Sequence, residues 1–185
     1  MPTNNTDFYL GNPNLKKVGT DINFTQEQIQ EYLKCKEDPV YFAMNYIKII
    51  SLDEGIVPFK MWDFQQELIE KFHKHRFNIA KLPRQTGKST TCVSYLLHYV
   101  LFNDNVNVGI LANKLSTARD LLGRLQLAYE QLPMWMQQGI ITYNKGSMEL
   151  ENGSKILAAS TSASAVRGMS FNIIFLDEFA FIPNH

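Results

Sequence analysis

Little in the composition of this chain advertises a partner. Eighteen basic residues are balanced by eighteen acidic ones, for a formal net charge of zero. That excludes the strong positive field of a protein that binds nucleic acid by bulk charge. There are only two cysteines, Cys35 and Cys92, far apart in the chain. They are too few for a disulfide framework, and with scattered histidines they lack the ligand spacing of a zinc site. A reducing compartment fits this usage, and neither thiol is a strong candidate for chemistry. No apolar run approaches the roughly 20 residues that span a bilayer. The start, MPTNNTDFYLGNPNLKK, lacks the charged-then-apolar order of a signal peptide. What is present is 45% hydrophobic and 12% aromatic residues in a chain of 185. That excludes a disordered chain and suffices for one domain, or part of a larger one. The densest basic spot, His73 to Arg76, reads as a solvated helix end whose dipole favours cations.

Residues 1–23, rich in Asn, Gly and Pro, read as an extended or flexible strap with apolar anchors at Phe8, Tyr9, Leu10 and Leu15. Thr25 to Gln28 is a capping-box pattern opening a short helix, and Asp38-Pro39 pairs an N-cap with a first-turn proline for a second helix through Ile47. After a loop around Asp53 to Gly55, the stretch Lys60 to Lys74 places Met61, Phe64, Leu68 and Phe72 on one helical face. Phe77 to Leu82 is a short strand candidate. A helix then runs from Gly87 to Leu101 or Phe102, and Val106 to Ala112 forms a second strand. Lys114 to Glu130 is an amphipathic helix. Ser147 to Glu151 and Ser154 to Ala158 flank Asn152-Gly153, a hairpin signal, and Asn172 to Leu176 is a buried-strand run ending in Asp177-Glu178. Strands alternating with helices predict an α/β domain, its sheet mainly parallel with one antiparallel insertion and two helices ahead of it.

The chemistry centres on residues 82–90, Leu-Pro-Arg-Gln-Thr-Gly-Lys-Ser-Thr. The general phosphate-loop pattern is Gly-x-x-x-x-Gly-Lys-[Ser/Thr]; here Gly87, Lys88 and Ser89 are in register, and Leu82 stands where the first glycine belongs. A loop that opens a helix aims backbone N–H groups and the positive helix end at one point, where a polyphosphate binds. Gln85 and the amides of Thr86 through Thr90 would surround it, Lys88 would reach the β- and γ-phosphates, and the Ser89 hydroxyl would ligate Mg²⁺. Downstream, Asp177 would hold the metal, and Glu178 would act as general base on the attacking water. Arg84, inside the loop, has two open readings: an arginine finger on the γ-phosphoryl group or a brace for the loop. Gln65 is favoured as a reader of the adenine edge, while Phe64 is open between adenine packing and core. Arg167 could link the site to a moving surface.

These residues resemble the large terminase subunit of tailed bacteriophages, of the T-even-like and cyanophage type. The resemblance rests on Arg84 to Ser89, Val108 to Ala112, Tyr143 to Ser147 leading to Glu151 to Ser154, Ala165 to Gly168 and Leu176 to Asn184. It covers the chain from about residue 11 onward. It implies a P-loop NTPase fold of the additional-strand, catalytic-glutamate type, with ATP and Mg²⁺ as cofactors. It also implies a motor that drives double-stranded viral DNA into a procapsid. The implied partners are the portal protein, the small terminase subunit and further copies in a ring, with no membrane; the implied location is the host cytoplasm and, transiently, the procapsid portal. The family's lysine, loop arginine, metal-binding aspartate and catalytic glutamate fall on Lys88, Arg84, Asp177 and Glu178, and its adenine-side glutamine motif resembles Phe64-Gln65. Lys60 departs from it, standing where relatives have a second glutamine. Because the family continues to a coupling motif and a nuclease, a chain stopping at His185 is expected to be an incomplete ATPase domain that hydrolyses ATP poorly alone.

Two other readings compete. A superfamily 2 helicase shares the loop, the acidic strand and the upstream glutamine, but Asn113 to Thr117 lacks the proline-threonine-arginine pattern such helicases resemble. A non-catalytic nucleotide-binding fragment would bind metal and ATP without turnover.

Overall fold

The computed structural model describes residues 7–51, 53–161 and 168–177. Helix α1 (Gln26–Glu37) opens on the expected capping box: the Thr25 hydroxyl accepts from the Gln28 amide, and Gln28 reciprocates on the Thr25 amide. Helix α2 (Pro39–Tyr46) is capped by Asp38, whose carboxylate accepts from the amides of Val40 and Tyr41 at 2.9 Å. An antiparallel hairpin follows, β1 (Lys48–Ser51) with β2 (Gly55–Pro58), where the sequence suggested only a loop. Then come α3 (Asp63–Lys74), α4 (Lys88–Phe102), β3 (Asn107–Ala112) and α5 (Leu115–Glu130). Strands β4 (Ile140–Tyr143), β5 (Ser147–Leu150), β6 (Lys155–Ser160) and β7 (Ile173–Leu176) complete the described elements.

The main sheet has the order β4-β5-β6-β3-β7. β3 pairs in parallel with β6 and β7, while β5 is antiparallel to both β4 and β6. The sheet is therefore mixed rather than mainly parallel, because the Asn152-Gly153 hairpin recruits β4 as well as β5. Gly153 has φ +79, as such a tight turn requires.

The expected strand Phe77 to Leu82 is not formed, and no strand lies between α3 and α4. Its apolar side chains meet solvent, with Ile79 99% exposed. The outer edge of β7 is open among the described strands, yet this segment does not pair with it, and nothing in the structure explains why.

From residue 7 onward the strap is not extended: a 3-10 turn at Tyr9–Gly11 and an antiparallel bridge from Phe8 to Lys16 fold it back on itself, and Leu10, expected as an anchor, is exposed because it sits on that turn. Leu15 is buried, Gln137 accepts from the Lys16 amide and donates to the Asn14 carbonyl, and the Ile140 amide donates to the Lys16 carbonyl at 2.8 Å. Lys17 thereby makes a parallel bridge to Ile140 at the outer edge of β4.

The core joins α4 and α5 to the sheet and to α2. On α3 the buried face carries Gln65 and Ile69, with Phe72 packed against the core. Phe64 lies off this stripe, half-buried against Trp62 at 5.7 Å between ring centroids. Core packing is thus not what Phe64 does here.

At the centre, His98 of α4 lies among Phe102 (4.9 Å between centroids), Phe42 (5.5 Å), His73 (6.4 Å) and Tyr95 (6.5 Å). Its Nε2 is 2.8 Å from the Cys35 carbonyl and must donate there, while Nδ1 has no partner among the described residues. Burial pushes its pKa from 6.5 down to about 4; His73 pushes the same way, and the backbone at Cys35 and Lys36 and the Asp38 carboxylate oppose it. Since the folded pKa is depressed, the unfolded chain takes up the proton first as pH falls. Stability is complete above 6.5 and is lost between there and about 4, by up to about 3 kcal/mol. The melting midpoint should therefore drop between pH 7 and 4.5. A His98→Phe variant should show a shallower drop, and an unchanged slope would rule out His98 as its source.

Candidate functional site

The phosphate-loop sequence folds as a turn that ends in α4. Gln85 and Gly87 both lie in the left-handed region, at φ 61 and 71. Gly87 is the N-cap of α4 and brings no side chain to it, so the first amides of the helix, from Lys88 to Thr90, have no side-chain cap. The glycine is required twice. A side chain is strained at that φ, and a Cβ would stand 2.6 Å from Gln65 Nε2. Within the loop the Thr86 hydroxyl donates to the Pro83 carbonyl at 3.0 Å, and one turn on, the Thr91 hydroxyl donates to the Gly87 carbonyl at 3.1 Å.

Thr86, Gly87, Lys88, Ser89 and Thr90 are half-buried, whereas Arg84 and Gln85 are exposed. An exposed Arg84 makes no ion pair among the described residues, so its guanidinium is free to meet an anion. Asp177 follows β7 directly. Its amide extends the ladder to the Leu111 carbonyl at 2.9 Å, and its residue is only 8% exposed. Glu178 and Arg167, proposed from the sequence as general base and linker, lie outside the described residues, as do most of Ala165 to Gly168 and 178–185.

Cys92, buried on α4, feels charge from both Lys88 and Asp177. Burial pushes its thiol up to about 12, the Asp177 carboxylate raises it further, and the Lys88 ammonium lowers it. Lys88 and Asp177 therefore act on one sulfur from opposite electrical sides. Cys92 stands four residues after Lys88 on α4, and that spacing is the signal that could have placed it beneath the loop. With Cys35 also pushed up to about 12 by burial, both thiols stay protonated and inert.

Gln65 is 3% exposed and already engaged at both ends. Its Oε1 accepts from the Trp62 amide and its Nε2 donates to the Thr86 carbonyl, each at 3.0 Å. The sequence picked the residue but not its contact with the loop, which joins positions 21 apart. Lys60 is exposed. A cleft beside β1 is lined by Thr90 and Arg124 but by neither Lys88 nor Asp177, so it adjoins the site without holding its charged groups.

The chain is thus a mixed α/β domain in which one helix opens on an uncapped glycine turn and a parallel strand ends in a carboxylate. Residues 79–185 match the family described as terminase large subunit, T4likevirus-type, N-terminal. The match spans more than half of the chain, and the chain belongs to that family. It is also 24% identical over 131 residues to tripartite terminase subunit 3 of Equine herpesvirus 2 (strain 86/87), covering 67% of this chain and 18% of that one. The crystal structure of the HK97 bacteriophage large terminase shares the fold at a TM-score of 0.62 and 16% identity, over 76% of this chain and 30% of the other. The chain thus spans less than a third of the length of either relative.

Proposed function

We propose that this chain forms an ATP-hydrolysing site of a large terminase, the motor that drives double-stranded viral DNA into a procapsid. The observation that supports it most is the phosphate-loop pattern folded as a glycine turn that opens α4 with its first amides uncapped, together with an aspartate, Asp177, at the C-terminal end of the parallel strand β7.

In this reading the amides of Gly87 to Thr90 and the Lys88 ammonium hold the β- and γ-phosphates. The Ser89 hydroxyl and the Asp177 carboxylate are hard oxygen donors, a set that suits Mg²⁺ and leaves its other positions to phosphate and water. The metal would neutralise charge developing on the phosphoryl oxygens. Glu178 takes a proton from the attacking water, and Arg84 meets the γ-phosphoryl charge. Phe64, off the core stripe and beside Trp62, is free to pack on the adenine. The herpesvirus relative's tripartite terminase supports assembly with other terminase subunits. A portal protein, further copies in a ring, and a place in the host cytoplasm and at the procapsid portal belong to the same proposal.

Calorimetric titration of the chain with ATP tests it. One nucleotide should bind with Mg²⁺ present, and binding should weaken when the metal is chelated. Absence of binding in both conditions would overturn the reading. In a terminase carrying the rest of the machinery, Arg84→Ala should lower turnover about 10³-fold with nucleotide affinity little changed. Lost affinity with intact turnover per bound nucleotide would make Arg84 a brace instead.

A further inference from the structure

We infer that Gln65 is a positioning residue for the phosphate loop, setting the direction of the Gly87 amide; this deepens the proposed function and rests on it. The peptide bond between Thr86 and Gly87 is planar and trans, so its carbonyl and its N–H point in opposite directions. Gln65 Nε2 donates to that carbonyl at 3.0 Å and so holds it toward α3. The Gly87 N–H must then face the other way, away from α3, and it finds no acceptor among the described residues. The φ of Gly87, 71, is one of the two dihedrals that orient this peptide, and glycine adopts other φ values without steric cost, so the Gln65 contact is what selects among them. A flip would leave the buried Gln65 donor unsatisfied.

Gln65 is itself held. Its Oε1 is fixed by the Trp62 amide, its residue is 3% exposed, and Gly87 lies so close that a Cβ there would sit 2.6 Å from Nε2. An amide reading adenine must present a donor and an acceptor to the base together. Here one end serves the start of a helix and the other serves the loop. Gln65 therefore acts on the phosphates through the backbone, and its effect is blind to the base.

The test compares ATP, GTP and inorganic tripolyphosphate, each with Mg²⁺, on the wild-type chain and on Gln65→Met, which removes the donor without adding charge. Affinity for all three should fall by the same factor, about tenfold. A loss confined to ATP, with collapse of the preference over GTP and unchanged tripolyphosphate binding, would make Gln65 a base reader. No loss for any ligand would equally overturn the inference. Should the variant not fold, the wild-type chain still decides by NMR: the Gln65 side-chain amide signals should shift alike with tripolyphosphate and with ATP. A shift with ATP alone refutes the positioning role. A wild-type chain that binds none of the three ligands sinks the nucleotide-site reading itself, whereas binding with base-confined effects sinks only the role of Gln65.

Discussion

Lys88→Ala should lower Mg²⁺–ATP affinity about 100-fold or more while leaving the fold slightly more stable. The two effects have separate causes. Lys88 is the first residue of α4, where the helix dipole is positive, so its ammonium stands at an electrostatically unfavourable end. Removing it relieves about 0.5 kcal/mol. For a polyphosphate bound as proposed the same placement would be favourable, because the ammonium and the uncapped amides stand at one helix start in a half-buried site. Calorimetry of nucleotide binding beside a thermal melt would separate the two. Wild-type affinity in the variant would remove Lys88 from the site, and a collapsed melt would mean that the lysine also holds the turn together. Lys88→Arg should rescue little, since a planar guanidinium does not replace a compact ammonium in a close-fitting loop.

The largest effect on folding should come from Phe42→Ala. Phe42 is fully buried on α2, with ring centroids 5.5 Å from both His98 and Phe102 of α4 and 6.2 Å from Tyr46. Truncation leaves a cavity between the N-terminal helices and the helix that carries the phosphate loop, at a cost of about 3–5 kcal/mol. That is a large part of the roughly 5–15 kcal/mol that holds a domain together. In urea the unfolding midpoint should fall sharply with an unchanged slope. A loss below about 1 kcal/mol would show that α1 and α2 are not part of the cooperative unit.

Local signals were legible wherever a short sequence satisfies its own backbone. Thr25 with Gln28 and Asp38 with Pro39 settle their hydrogen bonds within a few residues, the Gly153 amide closes its turn on the Leu150 carbonyl, and the elements form as the sequence predicts. The start of α4 at Lys88 was legible for the same reason. What failed depended on distant partners. Phe77 to Leu82 has strand composition but finds no ladder. The β1–β2 hairpin turns without an Asn-Gly signal and shows itself only in the Ile49–Val57 register. On α3 the spacing of Phe64 and Leu68 suggested the buried face, yet the buried polar Gln65, held by Thr86 far along the chain, rotates the helix toward Gln65 and Ile69. A hydrophobicity pattern cannot foresee a polar residue that is buried because another segment's carbonyl needs it.

The bridge from Lys17 to Ile140 also gives the sheet a direction of growth. With the start of β4 bridged to the strap at Ile140, the edge left without any described partner is β7, and a strand that joins there, against Ile173 to Leu176, arrives next to Asp177. Enlargement of this sheet and access to its acidic edge are therefore one event, which would let the docking of a new segment register directly at the carboxylate.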